Sequence, residues 1–133
     1  MTPEFSFEIV TPERQFFSGN VEMVVLKTPD GEMGILPGHI PMVVAVAVGP
    51  VKIIQKDKEH KAFLSEGFME ITEDKTIIVA DSAEWPEEID INRAKAAKMR
   101  AEERLRNKLS YKEYTQTQAA LARAMQRLKI KNL

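Results

Sequence analysis

The side chains best equipped for chemistry in this chain are three arginines and one carboxylate: Arg93, Arg123, Arg127 and Asp90. A guanidinium fork matches phosphate or carboxylate oxygens two at a time, so arginines that outnumber the acids around them call for an anion. Arg123 and Arg127 lie four apart, hence one turn apart on one helix face. If that helix runs back antiparallel to one beginning near Asp90, its late turns come beside Arg93, Asp90 and Glu84, and the group forms one small anion pocket. Ordinary surface arginines on two solvated helices are the alternative.

Other candidates carry less. In Met33-Gly34-Ile35-Leu36-Pro37-Gly38-His39-Ile40-Pro41, two glycines and two prolines restrict the backbone and predict a rigid corner. The corner lacks the Lys-Ser/Thr ending of a phosphate-cradling loop, and His-Ile-Pro follows it where a helix would be needed. His39 has only His60 as a second histidine, and no nearby Ser or Cys completes a nucleophile and base. The histidine reads as structural, with no catalytic set and no metal cluster in the chain.

The arginines need helices to place them, and the composition changes where those helices must begin. At Ile89-Asp90-Ile91-Asn92-Arg93-Ala94 the chain passes from sheet-forming sequence to a tail with no Gly or Pro, dense in Ala, Lys, Arg, Glu and Gln. Asp90 offers a short side-chain acceptor to the first unpaired amides and is the predicted N-cap. Ala94, Ala97, Ala101 and Leu105 predict a first helix from about Ile91 to about Arg106. Asn107-Lys108-Leu109 turns the chain, and Ser110-x-x-Glu113 is a capping box that starts a second helix. The stripe of that helix reads Tyr114, Thr117, Leu121, Ala124 or Met125, and Leu128. An alanine seam buries little area, so the predicted antiparallel hairpin is weak by itself and can open, a permanently docked helical cap being the alternative. Arg123 and Arg127 read as exposed mid-helix positions, and Lys129 and Lys131 as free of any capping duty.

Residues 1–85 predict a flattened β-sandwich or barrel of about eight to ten short strands, and residues 86–133 the helical hairpin. Phe5–Val10 alternates, and Val21–Thr28 places Val21, Met23 and Val25 on one face before Pro29-Asp30-Gly31 turns the chain. Met42–Val48 alternates larger residues with smaller or branched ones, a pattern that suits a central strand packed on both sides. Runs at 51–56, 60–66, 68–72 and 76–80 continue the series, and the sandwich should fold without the helices.

Charge separates the halves as sharply as composition does. Residues 1–89 hold 7 Lys+Arg against 16 Asp+Glu, whereas residues 90–133 hold 12 against 4, so a chain of net charge −1 carries −9 on one half and +8 on the other. Such a chain can fold its basic part on its acidic part, or offer it to an acidic partner. The absence of cysteine excludes disulfide and thiolate chemistry, and no run approaches the ~20 apolar residues of a membrane span. With no basic segment followed by an apolar run at its start, the chain reads as soluble and unsecreted. A nucleic-acid-binding module is the competing class, and against it stand the acidic sandwich and a basic half whose only aromatics are Tyr111 and Tyr114.

Five motifs in order resemble the epsilon subunits of bacterial F-type ATP synthases: Val-Glu-Met-Val at 21–24, Gly-Glu-Met-Gly-Ile-Leu-Pro-Gly-His-Ile-Pro at 31–41, Gly67-Phe68-Met69-Glu70, Ile89-Asp90-x-x-Arg93-Ala94, and Leu121-Ala122-Arg123-Ala124-Met125-Gln126-Arg127-Leu128. The resemblance covers the whole chain and implies a non-catalytic rotor subunit of the central stalk of a proton-translocating synthase, peripheral on the cytoplasmic face of the bacterial membrane. It implies a sandwich that binds the gamma subunit and the membrane-embedded c-ring, with Glu32 and His39 on the surface that approaches the ring. It also implies helices that are compact in one state and in another extend into the alpha/beta catalytic head, where they block ATP hydrolysis. No cofactor is required. ATP is the expected regulatory ligand of the compact state, on Glu84, Ile89, Asp90, Arg93, Ala94, Arg123 and Arg127.

Overall fold

A computed structural model describes residues 2–132. Among these, ten strands precede two helices: β1 (Phe5–Val10), β2 (Gln15–Val21), β3 (Met23–Thr28), β4 (Gly31–Ile35), β5 (Met42–Val46), β6 (Gly49–Gln55), β7 (Lys58–Leu64), β8 (Gly67–Ile71), β9 (Lys75–Ala80) and β10 (Ala83–Glu84), then a 3₁₀ turn at Pro86–Glu88, α1 (Ile91–Leu105) and α2 (Tyr111–Lys131). The chain separates into two compact units, Met1–Trp85 and Pro86–Leu133.

In the first unit the strands form two five-stranded sheets, ordered β2-β1-β9-β8-β5 and β10-β7-β6-β3-β4. Neighbours pair antiparallel except β1 with β9, which run parallel and join the start of the unit to its late strands. One inner face supplies Phe7, Ile9, Val21, Met69, Ile71 and Ile78, and the other Val24, Leu26, Ile35, Val51, Ile53 and Leu64, all within one apolar core. This is the two-layer sandwich expected from alternating short strands. Gly67 permits its tightest approach, since a Cβ there would collide with the Val79 carbonyl and lie 2.8 Å from the Ala80 Cα.

Three strand expectations need correction. Val21–Thr28 is not one strand: Val21 closes β2, Glu22 donates its backbone N–H to the Ile54 carbonyl at 2.8 Å, and pairing resumes at Met23. That interruption shifts the alternation, so Val24 and Leu26 face the core in place of Met23 and Val25. Met42–Val46 is an edge strand, bonded to β8 alone, with Val43 68% exposed. An apolar run with small residues looks alike whether both faces are buried or one awaits a partner. The predicted corner is shorter than expected, because Gly31–Ile35 pairs with β3 as a strand and only the residues after Ile35 turn. There Gly38 has φ +82°, the left-handed region where glycine costs least.

In the second unit Asp90 caps α1, its Oδ1 accepting from the backbone N–H groups of Asn92 (3.0 Å) and Arg93 (3.1 Å). Ser110 caps α2 in a complete capping box, its Oγ accepting from Glu113 N–H and the Glu113 carboxylate accepting from Ser110 N–H, each at 3.2 Å. Ala94, Ala101, Thr117 and Ala124 are buried, as the helical stripes require. Tyr114 and Met125 are exposed and leave the stripe, while Ile130, which the periodicity passed over, is 2% exposed.

Candidate functional site

The helical unit closes at both ends. At the loop end Arg104 approaches the Glu113 carboxylate at 3.7 Å. At the other end the Lys131 ammonium donates to the Pro86 carbonyl at 2.9 Å, which brings the last turn of α2 to the segment that leads into α1. The helices therefore run antiparallel. Asp90 caps α1, Arg93 and Ala94 lie at its start, and Arg127 and Arg123 lie one and two turns before Lys131 on α2, at the same end of the hairpin.

The local reasons are simple. Asp90 is held by the two amides it caps, and those bonds leave its second oxygen unengaged by the cap. Arg93 is exposed; Ile89 and Ala94 are buried and anchor the chain on either side of Asp90. Arg123 and Arg127 are half-buried and already make interactions within the chain, which corrects the expectation of exposed mid-helix positions. Lys131 likewise carries the contact to Pro86 and is no free surface charge. Glu84 lies on β10 in the first unit, half-buried and engaged in contacts of its own.

A smaller groove of about 280 Å³ runs along the hairpin toward its loop end, lined by Ala97, Arg100, Ala101, Arg104, Gln116, Thr117 and Ala120. Its small side chains leave the space that a leucine seam would fill. Among the described residues no group of three His, Cys, Asp or Glu could hold a metal ion, and no helix is long and apolar enough to cross a membrane.

Two surfaces of the sandwich stand apart. Val43, Phe68 and Val79 are exposed on β5, β8 and β9, with Phe68 paired directly to Val79. By the alternation of the paired strands the three lie on one face of the sheet. Sequence reading placed β5 in the interior and so missed it. At one end of the sandwich His39 lies half-buried in the β4–β5 corner, its Nδ1 2.8 Å from the Ile40 carbonyl. Glu32 is exposed on β4, opposite Lys27 on β3.

A β-sandwich followed by a capped, basic helical pair defines the class to which the comparisons point. Residues 4–86 match the β-sandwich domain of the ATP synthase delta/epsilon chains, and residues 87–132 match their long α-helix domain. The chain is 56% identical over 128 residues to the ATP synthase epsilon chain of Ruminiclostridium cellulolyticum, covering 96% of each. It is 50% identical over 131 residues to that of Caldanaerobacter subterraneus subsp. tengcongensis, covering 98% of this chain and 95% of the relative. The chain belongs to the ATP synthase epsilon chain family, and is a non-catalytic subunit.

Distant structures repeat the fold. A chain of the Euglena gracilis mitochondrial ATP synthase (OSCP/F1/c-ring) superposes with a TM-score of 0.78 at 22% identity, over 92% of this chain and 78% of that one. One from the central stalk and c-ring of the Tetrahymena thermophila enzyme gives 0.73 at 12%, over 98% of each.

Proposed function

We propose that this protein is a rotor subunit of a bacterial F-type ATP synthase, peripheral on the cytoplasmic face of the membrane, and that its helical unit is an ATP-sensitive brake on ATP hydrolysis. The sandwich joins the gamma subunit to the c-ring, and the apolar face of Val43, Phe68 and Val79 suits a protein partner. The helical unit answers to ATP. When compact it holds the nucleotide on Ile89, Asp90, Arg93, Ala94, Arg123 and Arg127. When extended, its +8 half meets the acidic surface of the alpha/beta head and blocks turnover.

The observation that carries this reading is the closure of the hairpin by Lys131 on Pro86, which sets Arg123 and Arg127 at the end where Asp90 and Arg93 begin α1. Guanidinium groups there suit the phosphates, and the carboxylate suits a donor on the base or ribose. Because a ligand shifts a two-state equilibrium only by its differential affinity, ATP that binds the compact form alone favours it.

Calorimetric titration of ATP into the full chain and its Arg123→Ala and Arg127→Ala variants tests the site. A hydrogen bond to a charged group contributes roughly 1.5–3 kcal/mol, so each variant should bind about ten- to a hundredfold more weakly. Both arginines are half-buried, so helicity and thermal stability are measured on the same samples. Equal affinities in all three proteins would remove the nucleotide site. Deleting residues 86–133 should raise ATP hydrolysis by the assembled enzyme, and an unchanged rate would show that the helices are not its brake.

A further inference from the structure

Helix α2 buries more than the seam it shares with α1. At about 3.6 residues per turn each position adds about 100°, so Gln126 lies about 160° round the helix from Ala124 and about 180° from Thr117, the buried residues of that seam. Ile130 sits one turn beyond Gln126 on the same side and is 2% exposed. The Pro86–Glu88 turn, whose first carbonyl accepts from the Lys131 ammonium, lies against α2 at this end. The late turns of α2 therefore carry a second closed face.

That face holds a polar atom in the wrong surroundings. The Gln126 side-chain oxygen Oε1 is closed from water, and among the described residues no donor reaches it. Arg123, three residues before, and Arg127, the next residue, make interactions of their own and leave this oxygen unbonded. A buried carbonyl oxygen without a donor costs its lost hydration, whereas an apolar group of similar shape incurs no such cost. Methionine is such a group and has nearly the same helix propensity as glutamine. Gln126 thus opposes closure of the helical unit, while the burial of Ile130 beside it favours closure.

We infer that Gln126 is a built-in opening bias, which keeps the compact helical unit near balance with the open one because opening returns its oxygen to water. The inference rests on the two-state brake proposed above. A helical pair closed too firmly would not respond to the loss of its ligand. One whose closed form carries an unpaired acceptor lies within the range that a ligand of ordinary affinity can shift.

Hydrogen exchange of the α2 amides in the full chain without nucleotide tests the bias, with ATP titration and helicity measured on the same samples. The proteins are wild type, Gln126→Met, Gln126→Leu, Ile130→Ala and Gln116→Met, the last at an exposed position of the same helix. Both Gln126 variants should slow α2 exchange about tenfold and leave the β-strand amides unchanged. Because apparent affinity follows the population of the binding-competent form, both should also bind ATP more tightly, by at most about the same factor. Ile130→Ala should speed α2 exchange, and Gln116→Met should behave as wild type. In the assembled enzyme Gln126→Met should release ATP hydrolysis. Unchanged or faster α2 exchange in both Gln126 variants overturns the inference. Weaker ATP binding by both overturns it as well, because the amide would then be a nucleotide contact. Slower exchange with unchanged hydrolysis upholds the bias and overturns the brake. Wild type that binds no ATP removes the nucleotide site, and the exchange rates alone then decide for or against the bias.

Discussion

The two units are built on opposite economies of packing. The sandwich draws its core from large side chains closed completely from water, Phe7, Ile9, Leu26, Ile35, Ile53, Met69 and Ile78 among them. Among its described residues the helical unit buries three alanines, a threonine and two isoleucines, and the contacts at its ends include an exposed ion pair and a lysine-to-carbonyl bond. Burying a Leu, Ile or Phe contributes about 1.5–3 kcal/mol each, an alanine a fraction of that, and an exposed ion pair at most about 1 kcal/mol. A fold with this contrast has one fixed scaffold and one element whose state a ligand of ordinary affinity can change.

Cutting the chain between the units breaks the comparison most severely. A protein ending at Trp85 should melt cooperatively with an intact near-ultraviolet signal, whereas residues 86–133 alone should show little helix in water. The cut must fall after Trp85 and not at Asp81 or Ala83. Ala83 is buried and its carbonyl accepts from Arg14, and Trp85 stacks on Phe16 with centroids 4.3 Å apart. An unfolded 1–85 fragment would show that the sandwich depends on the helices.

Single truncations sharpen the same contrast. Leu26→Ala, in the closed core, should cost about 2–5 kcal/mol by denaturant unfolding. Leu121→Ala, at a half-buried position of α2, should cost about 1 kcal/mol and register in helicity before it registers in the sandwich melt. Equal costs would mean that the two units are packed alike.

What could be read in the sequence follows the same division. Helix signals are local: Asp90, Ser110 with Glu113, and the alanine spacing placed both ends of α1 and the start of α2 to within a residue, because caps and periodicity need only neighbours along the chain. Strand position is not local, and β5 was misplaced because nothing within Met42–Val46 records that β8 is its sole partner. The same blindness hid the Val43–Phe68–Val79 face, since its members are distant in sequence. The arginine spacing was legible. That Arg123 and Arg127 are half-buried and Lys131 is tied to Pro86 was not, because both depend on which elements pack against α2.

Smaller effects test the ends of the hairpin and one turn of the sandwich. Ser110→Ala should cost the helical unit about 1 kcal/mol through loss of its cap and leave the sandwich melt unchanged. The bonds from Ser110, and secondarily the charge of Arg104, hold the Glu113 carboxyl below the usual glutamate range. A lowered carboxylate value adds stability above the unfolded pKa and loses it as pH falls through the folded one, so α2 helicity should decline only in strong acid, at pH values below about 4. Helicity that falls near neutral pH would assign the change to another group. In the β6–β7 turn Lys56 has φ +43°, and Lys56→Gly should stabilise the sandwich by about 0.5 kcal/mol with no effect on the helices.

Residue-resolved hydrogen exchange on the full chain, with and without saturating ATP, tests the central claim most directly. Amides of β1, β6, β8 and β9 should exchange at the rate of global unfolding in both conditions. Those of α1 and α2 should exchange far faster without nucleotide, and slow about a hundredfold when ATP is held at roughly a hundred times its dissociation constant. Helices as protected as the core strands, or helices whose exchange ATP leaves unchanged, would contradict the account of a fixed scaffold bearing a nucleotide-governed brake.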